Sequence, residues 1–409
     1  MSGLGAGVRC LIVAPVDLLS QRIGGIQSFV HGFIKFAPED FGFEVVGVAQ
    51  RDGRGPVRWR DVEVAGRPVR FLPIVSGSGG GRHRSPVPLS LRLALAAGLR
   101  RREIDTAGRV LQFHRPGTAL PFVGVRAPRI QFIHFDPAQV AGAGGENRWR
   151  RLPTILRAVD RLTLGGTAAV VTVSEASAHA YESDHPRLAG RVLFVPNWWD
   201  ETVFGGVAAP DRGEARRRLL TGIGAEPDAQ VILFVGRLEA TKDPALAIEA
   251  YLEAAAGRPN RHLVVIGDGS LRRALEEQVS RAPASTQVAF LGVLQRSEVA
   301  AWMSAADALV IASRSEAGPT VALEALASGL PVVSTAVGRI RQLVRHAETG
   351  WIAPVGDAAE LARGLEWAAT VPQRPINAAE EAALPYRARS VLEPLYLLHR
   401  RLVVASRAP

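Results

Sequence analysis

Short apolar runs alternate with amphipathic stretches along almost the whole chain. Positions 8–14, 43–49, 69–75, 110–114, 129–134, 168–173 and 192–197 read as strands, and so do 231–235, 262–267, 288–293 and 308–312. Runs this short, rich in Val, Ile and Leu and largely without polar alternation, predict strands covered on both faces in parallel sheets. Between them lie helical patterns at 26–36 and 319–327, a helix starting near Asp357 and an amphipathic tail at 387–404. Strand and helix alternate throughout, with no internal repeat or coiled coil, which predicts an α/β protein of two Rossmann-like halves facing a cleft. Glycine and proline break the periodicity at 204–212, placing a hinge there.

The junction of the 308–312 strand with the 319–327 helix carries the most chemistry. Backbone N–H groups at Gly318, Thr320 and Val321 would point out of the sheet at the positive end of the helix dipole, which suits a phosphate. Glu316 stands just outside that helix and Glu324 lies eight residues on, a little over two turns, so both carboxylates reach the same side. A ligand of hydroxyls, phosphates and further hydroxyls would fit, as in a sugar nucleotide. Seen alone, a glutamate pair at this spacing is an ordinary solvated helix face and Gly-Pro an ordinary turn. After the 231–235 strand, the turn at Gly236 brings the guanidinium of Arg237 and the ammonium of Lys242 to one strand end, the equipment of a diphosphate clamp. Strands ending in His114 and His134 place imidazoles where open α/β sheets hold ligands, although a histidine there, taken alone, is more often a core residue. Gly24 and Gly25 follow the first strand and permit close backbone approach or merely a tight turn.

The stretch 313–329, Ser-Arg-Ser-Glu-Ala-Gly-Pro-Thr-Val-Ala-Leu-Glu-Ala-Leu-Ala-Ser-Gly, resembles the Glu-x7-Glu signature of the retaining GT-B glycosyltransferases of family 4, glycosyl transferases group 1. Gly236-Arg237-Leu238 with Lys242 resembles that family's Gly-Arg-Leu and lysine motif, and Gly267-Asp268-Gly269 its Gly-x-Gly loop. The segments 330–334 and 349–354 follow in family order. The resemblance implies a GT-B fold, with an acceptor-binding domain at 1–205, a nucleotide-sugar-binding domain at 206–386, and residues 387–409 crossing back to the first. It implies donor contacts at Gly24, Gly25, Gly236, Arg237, Lys242, Gly267, Val293, Glu316, Gly318, Thr320, Val321 and Glu324. By the same likeness Arg237 and Lys242 neutralise the leaving diphosphate, Glu316 holds sugar hydroxyls, and Glu324 holds ribose hydroxyls. His134 would face the donor sugar and His114 would lie on the acceptor side. The donor would be a UDP- or GDP-linked sugar with no further cofactor, the acceptor a glycan or lipid-linked sugar, and the setting bacterial polysaccharide or glycolipid synthesis. The family has Asn-Gly where this chain has Asn197-Trp198-Trp199, a departure that touches the linker.

Composition narrows the alternatives. The chain has 409 residues, 47% hydrophobic and 22% charged, enough for two cores. Cys10 is the single cysteine, which leaves no internal disulfide or cysteine metal site and fits a reducing cytoplasm. No apolar run reaches membrane-spanning length, and no secretory signal is recognisable at the N-terminus. Asp-x-Asp does not occur, so the metal-chelating site of the other glycosyltransferase fold is not expected. The net charge of +10 implies acidic partners, yet the arginines are not interleaved with aromatics, so no nucleic acid is expected. Positions 64–102 hold eight arginines and no acid, and the leucine-rich helix at 89–102 within them either packs on the first domain or lies on an anionic membrane at the inner face. Rival readings are a GT-B epimerase or phosphorylase, marked by sugar release without acceptor or by a pyridoxal cofactor, a catalytically silent GT-B binding subunit, and a basic lipid- or nucleic-acid-binding protein.

Overall fold

The structure is a computed structural model that describes residues 7–20, 25–49, 57–76, 87–115, 117–134, 153–205, 209–282, 287–316, 318–370 and 376–407. These form two compact units. Residues up to Pro196 together with those from Arg389 onward make the first, and Asn197–Ala388 make the second.

The first unit is built on eight strands: β1 (Val8–Val13), β2 (Phe41–Ala49), β3 (Arg60–Val64), β4 (Arg67–Ser76), β5 (Val110–Phe113), β6 (Arg129–Ile133), β7 (Ala169–Thr172) and β8 (Val192–Phe194). Their order is β3-β4-β2-β1-β5-β6-β7-β8, parallel except for β3, which pairs antiparallel with β4. The sequence pattern missed β3 because Arg-Asp-Val-Glu-Val is polar at alternate positions, as suits an edge strand wetted on one face. Helices α1 (Gly25–Lys35), α2 (Leu89–Leu99), α3 (Pro153–Leu164) and α4 (Glu175–Asp184) belong to this unit. From β1 the chain builds outward first through β2 and then, after returning, through β5, so a topological switch point falls between the carboxyl ends of β1 and β5. Open sheets of this kind bind ligands at that point.

The second unit holds six parallel strands: β9 (Gln230–Val235), β10 (Arg261–Ile266), β11 (Gln287–Gly292), β12 (Ala308–Ile311), β13 (Val332–Thr335) and β14 (Gly350–Ala353), ordered β11-β10-β9-β12-β13-β14. Their period-two alternation fills two cores. Val231, Leu233 and Val264 point into one, and Ile232, Phe234, Leu263 and Val265 into the other. The flanking helices are α5 (Ala209–Gly222), α6 (Pro244–Ala254), α7 (Arg272–Ser280), α8 (Arg296–Ala305), α9 (Thr320–Ala327), α10 (Ile340–Leu343), α11 (Ala358–Thr370) and α12 (Ile376–Ala383). Here the switch point lies between β9 and β12, so the loops that follow those two strands flank it.

The units divide at 196/197, not at the expected 205/206. Trp199 and Phe204 are core residues of the second unit, and the Trp199 indole N–H donates to Ala383 O at 2.7 Å. The Trp-Trp departure therefore marks where the second core begins. The last helix, α13 (Ala388–Arg407), returns to the first unit, where the Tyr396 hydroxyl donates to Phe33 O at 2.9 Å. The basic stretch forms a helix only over Leu89–Leu99. Leu93 and Ala97 enter the first unit's core, while Arg92, Arg100 and Arg101 bond to Ser76 O, Glu103 and Ile104 O. Leu95 and Leu99 remain exposed.

Candidate functional site

In the second unit the loops at the carboxyl ends of the strands are sewn together by main-chain hydrogen bonds. Gly236 N donates to Ile266 O at 2.9 Å, Leu238 N to Asp268 O at 3.1 Å, and Gly267 N to Gly292 O at 2.7 Å. Across the switch point Arg314 N donates to Thr241 O at 3.0 Å, and the Arg314 side chain donates to Asp243 at 2.6 Å. The result is a continuous shelf made by the loops after β11, β10, β9 and β12. Gly267, at a φ of 139°, lies so close to its neighbour that a Cβ there would sit 1.8 Å from Gly236 O. A Cβ on Gly269 would meet Leu238 O at 2.4 Å. These glycines are thus demanded by loop-to-loop packing, which accounts for them before any ligand is considered.

Two carboxylates stand on this shelf, each held through one oxygen by a cation. Glu316 Oε1 accepts from Lys242 Nζ, which joins the β9 and β12 loops directly, and from Ser313 Oγ at 2.8 Å. Ser313 is fixed in turn because its carbonyl accepts from Thr335 Oγ1 at 2.7 Å. Glu324, on α9, accepts at Oε1 from Arg296 Nη2 at 3.0 Å. Oε2 of both glutamates has no hydrogen-bond partner among the described residues and is open to accept. Burial pushes Glu324 up to about 7, with nearby Asp200 adding to the rise and the Arg296 guanidinium opposing it. Between the glutamates lie Gly318 and the first turn of α9, where the amides of Thr320 and Val321 have no intrahelical acceptor. Asn197 Nδ2 donates to Gly318 O and fixes this turn. Arg237 follows β9 but faces Glu239 at 2.7 Å, with its side chain 64% exposed. Val293 is exposed just beyond β11.

At the strand ends of the first unit the chemistry is neutral. His114 stacks on Phe132, with ring centroids 4.5 Å apart; His134 lies edge to edge with His114, centroids 5.1 Å apart and rings nearly parallel, and Phe29 from α1 packs at a steep angle to His134. His114 Nδ1 lies 2.8 Å from His134 Nε2, and His114 Nε2 lies 3.2 Å from Gln112 Oε1. With 1% exposure and both nitrogens engaged, His114 offers nothing to an acceptor, contrary to the expectation from sequence. Burial holds all three imidazoles of this region below the ordinary value: His134 at about 3, helped by the Arg115 charge, His399 at about 4, and His114 well below. Gly25 opens α1 with free space above it, and Gly24 lies outside the described residues.

Of the sequence-predicted residues, the structure brings Lys242 and Glu316 into contact and places Gly236, Arg237, Gly267, Gly318, Thr320, Val321 and Glu324 along one edge of one sheet. Sequence reasoning missed Arg296, Ser313, Arg314 and Asp243. Arg296 left a legible signal, because a cation in the first turn of a helix opposes the dipole and so implies a partner elsewhere. The others act through strand pairing that only the fold reveals.

Residues 217–383, inside the second unit, match the family model for glycosyl transferases group 1. The D-inositol 3-phosphate glycosyltransferase of Jonesia denitrificans is 29% identical over 195 residues, 46% of this chain and 45% of that one. The chain spans about half the length of the curated relatives it matches. Sucrose-phosphate synthase from Thermosynechococcus elongatus superposes with a TM-score of 0.77 at 19% identity, covering 97% of this chain and 100% of that one. Anabaena HepE in complex with UDP-glucose gives 0.69 at 19% identity, covering 96% and 99%. The fold is accordingly GT-B, two Rossmann-like α/β domains.

Proposed function

We propose that this chain is a retaining, metal-independent GT-B glycosyltransferase of family 4 that moves a sugar from a nucleoside diphosphate to an acceptor hydroxyl. The observation that carries this reading is the Lys242 to Glu316 bond across the switch point of the second sheet, beside the open first turn of α9. One cation and one carboxylate joined there offer a ligand both a countercharge for phosphate and an acceptor for hydroxyls. HepE, of the same fold, is solved with UDP-glucose, which favours a uridine donor here over a guanosine one.

In this reading the diphosphate lies against Gly318 and the amides of Thr320 and Val321, where the helix dipole favours negative charge. Lys242 neutralises the departing phosphate, and Arg237 joins it by leaving Glu239, an exchange made cheap by its exposure. Glu316 Oε2 orients the sugar through its hydroxyls, and Glu324 Oε2 takes the ribose hydroxyls while Arg296 holds its other oxygen. Gly236 and Gly267 shape the shelf, and Val293 abuts the base. Gly25 and His134 stand beside the strand ends of the first unit, where open α/β sheets hold ligands. The bond from the anomeric carbon to the phosphate oxygen breaks as the acceptor oxygen bonds to the same face of that carbon. The acceptor's proton passes to the leaving phosphate, so no enzyme nucleophile is required.

The setting we propose is bacterial glycan or glycolipid synthesis in the cytoplasm, with exposed Leu95, Leu99 and Arg102 touching an anionic membrane surface. Equal sedimentation with neutral and anionic vesicles would remove that contact. No described helix is long and apolar enough to cross a membrane.

The test is a thermal-shift screen of UDP-, GDP- and ADP-glucose. A donor present at a hundredfold its Kd stabilises the folded state by about 2.7 kcal/mol, a shift of several degrees. No shift with any nucleotide sugar, including those carrying other hexoses, would overturn the reading.

A further inference from the structure

The histidine pair at the end of β5 and β6 continues inward as an unbroken hydrogen-bonded chain. His134 Nε2 meets His114 Nδ1 at 2.8 Å, and His114 Nε2 meets Gln112 Oε1 at 3.2 Å. Gln112 Nε2 meets His399 Nε2 at 2.7 Å, and His399 Nδ1 meets Leu395 O at 2.6 Å. Gln112, His114 and His399 are all buried, with exposures of 1% or less. The chain runs from the carboxyl end of the sheet to α13, and every bond lies within the first unit.

Each ring nitrogen and the amide of Gln112 would be ambiguous if considered alone. The carbonyl of Leu395 removes the ambiguity, because a carbonyl oxygen only accepts. His399 therefore carries its proton on Nδ1, and in a neutral ring its Nε2 must accept. The NH₂ of Gln112 then faces His399, leaving Gln112 Oε1 to accept from His114 Nε2–H. That leaves His114 Nδ1 as an acceptor, filled by His134 Nε2–H. Reversing the amide would set its oxygen against the lone pair of His399 Nε2, or would require a second proton on a ring that burial keeps neutral near pH 7.

We infer that Leu395, His399, Gln112 and His114 form a positioning relay that fixes His134 as its Nε2–H tautomer, so that His134 presents Nδ1 to a ligand only as a hydrogen-bond acceptor. That nitrogen has no partner among the described residues. A lone pair at the strand end accepts a hydrogen bond from a hydroxyl and repels a phosphate oxygen or a carbonyl. On the reading proposed above, His134 thus serves a ligand hydroxyl rather than a phosphate. The in-plane bond from His134 to His114, whose ring lies nearly parallel to it, and the contact with Phe29 fix the plane of the ring as the relay fixes its proton.

The experiment is long-range proton–nitrogen correlation on the full chain labelled with ¹⁵N-histidine at pH 7.5. We expect a protonated Nδ1 for His399 and a protonated Nε2, with an unprotonated Nδ1, for His114 and His134. In His399→Phe, which keeps an aromatic ring against Phe33 and Phe41, and in Gln112→Leu, His134 should show mixed tautomers. Sugar transfer should then slow by about three- to tenfold, the worth of one neutral hydrogen bond. A native spectrum with His134 protonated on Nδ1, or an unchanged His134 tautomer in a folded variant, overturns the relay. Where neither variant folds, the native spectrum decides alone. The spectrum is independent of catalysis, so a correct tautomer pattern without any transfer would count against the proposed function and leave the relay standing.

Discussion

The two sheets place different chemistry at equivalent positions. At the carboxyl ends of the first, imidazoles and an amide are neutral and paired to one another, buried except for His134 at the outer end. At the carboxyl ends of the second, ion pairs stand at the edge of a shelf of main-chain hydrogen bonds, each carboxylate with one oxygen open. A neutral relay selects by the direction of its hydrogen bonds and is indifferent to salt. A charged shelf selects by sign and strength and suits a polyanion. The difference gives charged contacts to the second unit and neutral ones to the first.

The strongest challenge to that division is removal of the charge bridge. Lys242→Ala, and separately Glu316→Ala, should lower transfer by about a thousandfold, the cost of losing a preorganised charge at a developing one. Circular dichroism should show the fold retained, and a variant with near-native turnover would end the assignment. The shelf itself comes next. Gly267→Ala forces a Cβ onto Gly236 O and a side chain into a left-handed backbone, so urea titration should show a loss of roughly 3 kcal/mol.

Acid tests the neutral side. His114 and His399 are held below the ordinary imidazole value, so the unfolded chain binds more protons than the folded one. Their contribution is complete above pH ~6.5 and is lost as pH falls from there toward about 4, at about 1.4 kcal/mol per pH unit for each histidine. Stability that stays flat across that window would mean the imidazoles are not buried neutral. The smallest effect concerns Glu324, which burial has already raised to about 7. Arg296→Leu removes an opposing charge and lifts it further, so nucleotide binding at pH 7 should weaken by about fivefold and recover at higher pH as the carboxylate ionises. Calorimetric titration at pH 7 and 8.5 separates this from simple damage.

The same contrast explains what could be read before folding. Glu316, Arg237 and Lys242 lie in turns that follow strands and Glu324 in the helix after one such turn, and both the strands and the spacings are local, so the pattern of residues singled them out as candidates. Most strands were legible because parallel sheets bury uninterrupted runs of Val, Ile and Leu. β3 was not, being an edge strand of alternating polarity. The relay was hidden for a different reason. Gln112 and His399 are 287 positions apart, and nothing in the sequence around either says that they touch. His114 looked like a ligand residue because it ends a strand, and only the packing of α1 and β6 around it shows that it is covered. The boundary at Trp199 was masked in the same way, since two tryptophans announce burial without saying in which core.

The return of α13 sets an order of maturation. During synthesis residues 197–388 leave the ribosome before 389–407, so everything the second unit contains is available while the first still lacks Tyr396 and His399. The part made first is therefore completed last. Until then the Phe33 carbonyl and the Gln112 amide wait for partners, so the first sheet stays incomplete for longer than its place in the message would suggest.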